Sequence, residues 1–123
     1  MRQLYNKVGE IKPDNLFNDI NVSVSEKSVK IKKSAIPLKR GTVLGVITAT
    51  GFAIPVDSTK TDGSQLANCI LADDVDASAA DMVAVAYTKG QFNRKALIFV
   101  GEETVDKHEA QLREVGIYLK DNI

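Results

Sequence analysis

One cysteine, one histidine and no tryptophan occur among the 123 residues, and each scarcity removes a class of protein. A single cysteine makes no internal disulfide, so a disulfide-stapled secreted scaffold is excluded. One histidine beside one cysteine cannot build a zinc site without several carboxylates, and catalysis by converging titratable groups has little to draw on. No apolar run approaches the roughly 18 residues that suggest a membrane span. The start Met-Arg-Gln-Leu-Tyr-Asn-Lys has neither the apolar stretch nor the small-residue cleavage site of a signal peptide. Synthesis in a cytosol and no membrane partner are the expectations. Net charge is missing too, with 16 Lys/Arg against 16 Asp/Glu. A neutral whole argues against a nucleic-acid partner, which demands several cations on phosphate.

What is present is ordinary in amount and uneven in arrangement. An apolar share of 44% and a charged share of 26% suit one soluble domain with a single modest core. Residues 1–40 hold nine Lys/Arg and four Asp/Glu, whereas residues 41–123 hold seven and twelve. A basic arm joined to an acidic body is the reading, and such asymmetry marks interaction segments.

Periodicity divides the chain in the same way. Leu4, Tyr5, Val8, Ile11, Leu16 and Phe17 follow neither a helical nor a strand period, and Pro13 with three Asn residues breaks residues 1–19 further. Ile20, Val22 and Val24 then alternate with polar residues, as do Val29 and Ile31 with Lys30 and Lys32, the period-2 pattern of half-buried strands. Such a stretch can complete another protein's sheet or supply strands of the domain itself, and for residues 20–33 both readings stand. We divide the chain into an N-terminal arm, residues 1–33, partly flexible with strand-forming segments, and a domain over residues 34–123.

Strands are expected at Val43-Leu44-Gly45-Val46-Ile47 and Phe52-Ala53-Ile54-Pro55-Val56, the second at an edge because Pro55 has no amide hydrogen. Asp62-Gly63 is a turn dipeptide, and further strands are expected at 68–72, 82–87, 96–100 and 117–119. A helix follows Thr104, with Asp106 in its positive first turn and Gly116 at its end. Val105, His108, Leu112 and Val115 share one face of it. The class is mainly β (α+β): a barrel-like or sandwich domain with one C-terminal helix and an extended N-terminal arm.

Chemistry is hard to assemble from these parts. His108 on the apolar helix face reads as packed, and Cys69 in Cys69-Ile70-Leu71-Ala72 as a small buried hydrophobe. Ser64, His108 and Asp106 make a triad only on paper, since no Gly-x-Ser-x-Gly elbow surrounds a serine. Asp73-Asp74-Val75-Asp76 lacks the central Gly and final Glu of a calcium loop, so it reads as a solvated acidic turn, with a weak Ca²⁺ or Mg²⁺ site as the alternative. Gly41-Thr42-Val43-Leu44-Gly45 has no phosphate-cradle ending. Lys27, Lys30, Lys32 and Lys33 lack the interleaved aromatics of a nucleic-acid face. The expectation is no enzyme, no cofactor and no metal.

The order of features resembles the lambda-like bacteriophage head decoration (capsid cement) proteins over roughly residues 35–123. It runs through Pro37-Leu38, Gly41-Thr42-Val43-Leu44-Gly45, Thr61-Asp62-Gly63, Ile70-Leu71-Ala72 with Asp73-Asp74-Val75-Asp76-Ala77-Ser78, Gly90-Gln91-Phe92-Asn93 before Ala96-Leu97, and Gly116-Ile117. The resemblance implies a homotrimer made in the host cytoplasm and placed on the exterior of the mature virion capsid. There it would bind the major capsid protein of a tailed phage and stabilise the shell against internal DNA pressure. It also implies a docking arm, for which Leu4, Tyr5, Val8, Ile11, Leu16, Phe17, Ile20, Val22 and Val24 are the candidates. Gly41, Asp62, Gly63, Gly90, Phe92, Asn93 and Gly116 are the fold-defining positions. Another virion or host-binding β module, such as a tail component, is the alternative.

Overall fold

The computed structural model describes residues 24–120. Along them run β1 (Ser25–Ile31), β2 (Val43–Val46), β3 (Phe52–Pro55), β4 (Cys69–Leu71), β5 (Met82–Asn93), a 3-10 turn (Arg94–Ala96), α1 (Val105–Glu114) and β6 (Ile117–Lys120). Their pairing closes a ring. β1 lies parallel to β3, β3 antiparallel to β2, β2 to β4 and β4 to β5. β5 then returns antiparallel to β1, from Ser25↔Lys89 to Ile31↔Met82. Beyond that contact β5 continues alone and takes up β6 in parallel, Gly90↔Ile117 through Asn93↔Lys120. Of the barrel and sandwich alternatives, the chain adopts a small barrel, with β6 and α1 laid against its outside.

Two apolar clusters explain the sequence patterns. One fills the ring: Val29, Ile31, Leu44, Cys69, Leu71, Ala84 and Ala86 among others. The second lies between the outside of β2, β4 and β5 and the layer of α1 and β6, where Val43, Ile70, Tyr87, Phe92, Leu112 and Ile117 meet. Successive strand residues point to opposite faces, so β2 and β4 send alternate side chains into the two clusters. A strand buried on both faces reads as a continuous apolar run, and Cys69-Ile70-Leu71 is buried throughout. β1 has only its lumen face buried, at Val29 and Ile31, with Lys30 between them exposed, and it keeps the alternating pattern. Of the two readings for residues 20–33, the stretch Ser25–Ile31 is therefore a strand of the domain itself, two residues short of the 33/34 division.

Three local expectations change. Residues 96–100 form no strand; they begin in the 3-10 turn and make one isolated bridge, Thr42↔Ile98. β3 is not a plain edge, because Phe52 and Ala53 pair with β1, but Pro55 lies past that pairing and opposes only Leu44 of β2. Its missing amide therefore interrupts no ladder. In α1, His108 and Leu112 are buried as the helical period requires, while Val115 caps the C-terminus and is exposed. Thr104 stands at the N-cap with extended backbone, yet its side chain makes no capping hydrogen bond. Asp106 occupies the first turn.

Candidate functional site

The residues singled out in the sequence fall into two groups, the arm candidates and the fold-defining positions. Of the arm candidates, Leu4, Tyr5, Val8, Ile11, Leu16, Phe17, Ile20 and Val22 lie outside the described residues. Val24 is described. It directly precedes β1, is 39% exposed, and its Cγ2 lies 3.4 Å from where a Cβ on Gly90 would stand. The N-terminal segment thus joins the barrel where β5 leaves β1 and turns to β6.

An outer wall is built by β1, β3 and β5. Lys30 is opposite Val83, Ser28 opposite Val85, and Phe52 flanks Lys30 on the other side, with the ammonium 5.6 Å from the ring centroid. Val83 is 69% exposed, and Val85 on the same face is also open. Ala84 and Ala86 face inward instead, and alternation along the strand turns Val83 and Val85 outward. Sequence reading found the strand and did not assign this face. The signal was the Val-Ala-Val-Ala alternation, in which both residue types are apolar.

The fold-defining positions are dispersed through the barrel. Gly41, Gly63, Gly90 and Gly116 all have positive φ. Gly90 and Gly116 meet, the Gly90 amide donating to the Gly116 carbonyl at 3.1 Å, with the fully buried Phe92 beside them. Asn93 caps the 3-10 turn, its Oδ1 accepting from the Lys95 amide at 3.1 Å. Gly63 is elsewhere, packed under Val46 and Thr48, and Asp62 Oδ1 accepts from the Ser64 amide at 3.0 Å and from the Ser64 hydroxyl. These bonds hold the Asp62 carboxyl below its usual range. Gly41 lies on the connection into β2, donating to the Leu71 carbonyl and accepting from the Ile98 amide, each at 2.9 Å.

No reacting constellation forms from the candidates. The Ser64 hydroxyl is engaged by Asp62. His108 has no exposed surface, and its two ring nitrogens stand 2.7 Å from Gln111 Oε1 and Glu103 Oε1. Burial pushes the Cys69 thiol up to about 11, so it carries almost no thiolate at neutral pH. In the acidic turn, Asp74 accepts from the Arg40 amide at 2.8 Å and Asp76 from the Ser78 amide at 3.0 Å. Leu38 and Val75 bridge the two segments. Arg40 reaches further, donating to the Ala72 carbonyl at 2.7 Å and the Tyr87 hydroxyl at 2.8 Å. Among the described residues no three His, Cys, Asp or Glu side chains converge on a cation position. A shallow groove of about 450 Å³ runs between Ile54, Pro55 and Val56 on one bank and Val100, Glu102 and Glu103 on the other. Among the described residues no helix is long and apolar enough to cross a membrane.

The described residues thus form a barrel that begins at Val24, with an apolar outer wall around Lys30 and Val83 towards the other end of β1. No curated protein matches the chain. A family model described as bacteriophage lambda head decoration protein D matches residues 7–117. That span takes in the whole ring, α1 and most of the segment ahead of β1, so the chain belongs to the bacteriophage lambda head decoration protein D family of structural phage head proteins.

Proposed function

We propose that the protein binds the exterior of the mature capsid as a homotrimer, contacts the major capsid protein through its N-terminal arm, and stabilises the shell against packaged DNA. The family match carries this reading, because it extends ahead of β1 to residue 7 and treats that segment and the barrel as one unit. Leu4, Tyr5, Val8, Ile11, Leu16, Phe17, Ile20, Val22 and Val24 are the proposed docking residues. Gly41, Asp62, Gly63, Gly90, Phe92, Asn93 and Gly116 serve by shaping the body that presents them. An arm that orders on binding gives up entropy and binds weakly for its contact area. Three arms on one body recover affinity through effective concentration. A clamp of this kind selects the mature shell when only that shell offers partner strands at matching spacing. Co-sedimentation with expanded and unexpanded capsids tests the proposal, with light scattering on the free protein. A trimer that pellets with expanded shells, together with a 1–19 deletion that stays trimeric and does not pellet, is the expected result. A monomer, or undiminished binding by the deletion variant, overturns it.

A further inference from the structure

We infer that Glu103 and His108 form an acid-released latch that holds α1 against the barrel. His108 is the sole histidine, is fully buried, and lies on the barrel side of α1 with its ring stacked on Phe99, centroids 5.9 Å apart. Its Nε2 is 2.7 Å from Glu103 Oε1 in the loop ahead of α1. Its Nδ1 is 2.7 Å from Gln111 Oε1 one turn along the helix. That same Gln111 oxygen accepts from the Ala67 amide at 2.8 Å, and the second Glu103 oxygen accepts from the Ser58 hydroxyl at 3.0 Å. One buried ring thus gathers α1, the loop before it and two points of the β3–β4 connection.

The charges around the pair are few. Lys107 stands near enough to favour the Glu103 carboxylate, and its ammonium also donates to the Glu102 carbonyl at 3.3 Å. On the β3–β4 connection, Asp57 lines the same groove as Glu102 and Glu103, its Oδ1 accepting from Thr59. Glu103 is the carboxylate that touches the ring, and its side chain is only 7% exposed. The His108 hydrogen bond, ahead of the Ser58 bonds and Lys107, holds the Glu103 carboxyl below the usual range. The sign follows from that depression. The latch contributes in full above the unfolded carboxyl value and is lost as pH falls through the folded one. Protonation takes the negative charge off the Glu103 carboxyl and weakens it as an acceptor for the buried His108 Nε2, 2.7 Å away. A buried polar group deprived of its partner is destabilising, and lifting α1 away hydrates both groups.

Amide hydrogen exchange on the full chain, read residue by residue between pH ~7 and pH ~2.5, a span that brackets the carboxyl range, tests the latch. The expected result is that α1 amides lose at least about tenfold in protection relative to β2 and β4 amides, as breaking a buried pair requires. Glu103→Gln should show the lower relative protection already at neutral pH and change little on acidification. A ratio of α1 to barrel protection that stays constant in the wild type overturns the inference. So does a Glu103→Gln protein with the wild-type acid response.

Discussion

A Cβ added at Gly63 would meet Thr48 Oγ1 at 2.2 Å and the Val46 carbonyl oxygen at 2.8 Å, on backbone with φ +109°. The backbone oxygen cannot move aside without disturbing β2, and the left-handed region alone costs a non-glycine residue about 1–2 kcal/mol. Gly51 is the matched control, with φ +79° and nothing within 4 Å of the added atom. Gly51→Ala should lose about 1 kcal/mol and Gly63→Ala at least about 2–3 kcal/mol in urea unfolding. Equal losses would show that the close approach under β2 carries no energy. The Asp62-Gly63 dipeptide was legible as a turn because its chemistry is local. Nothing local in the sequence announced that Val46 and Thr48 press upon it. His108 illustrates the same boundary: its burial followed from the helical period and Gln111 is its neighbour one turn on, but the Ala67 amide and Ser58 hydroxyl that bond Gln111 and Glu103 come through the tertiary fold.

Elements were legible where a run of residues has one environment, and less so where packing decides between equals. β2, β4 and β6 fall within a residue or two of their sequence-derived bounds, since both-face burial or clean alternation marked them. β5 extends to Asn93, past residue 87 where the strand was expected to end, and runs through Gly90. A positive-φ glycine there, with the register shift opposite Ser25/Glu26, re-aims the strand from β1 to β6 without ending it. Residues 96–100 have the composition of a strand, but the ring closes without them, and a short apolar run looks alike whether paired or docked. Arg40 belongs to this scale because it joins elements: its guanidinium bonds the Ala72 carbonyl after β4 and the Tyr87 hydroxyl on β5. Arg40→Met keeps the length of the side chain and removes the donor from both acceptors, so a loss of about 1–3 kcal/mol in urea unfolding is expected. Tyr87→Phe gives up the bond from Arg40 and should lose about 1 kcal/mol. In the double variant the losses should fall short of their sum; strict additivity would mean that the two residues act apart.

For the molecule as a whole, the decisive question is where the domain begins. The division was set after residue 33, with residues 20–33 open to two readings: a docking arm or strands of the domain itself. For Ser25–Ile31 the barrel uses the alternation in the second way: Val29 and Ile31 are the lumen-facing residues of the strand that closes the ring. Without β1, the 82–89 edge of β5 and the Phe52–Ala53 edge of β3 lose their pairing. Leu44, Leu71, Ala84 and Ala86 would then line an open trough. Unpaired apolar edges recruit other chains, and a domain this small has little stability in reserve. A chain of residues 20–123 should therefore unfold in one cooperative transition at nearly the full-length midpoint, whereas residues 34–123 should fail to fold and should aggregate. Circular dichroism during urea titration separates the two, with analytical ultracentrifugation reporting the aggregate. A folded, monodisperse 34–123 fragment would mean that β1 is an accessory to the barrel, returning residues 25–31 to the arm and making them available for capsid contact.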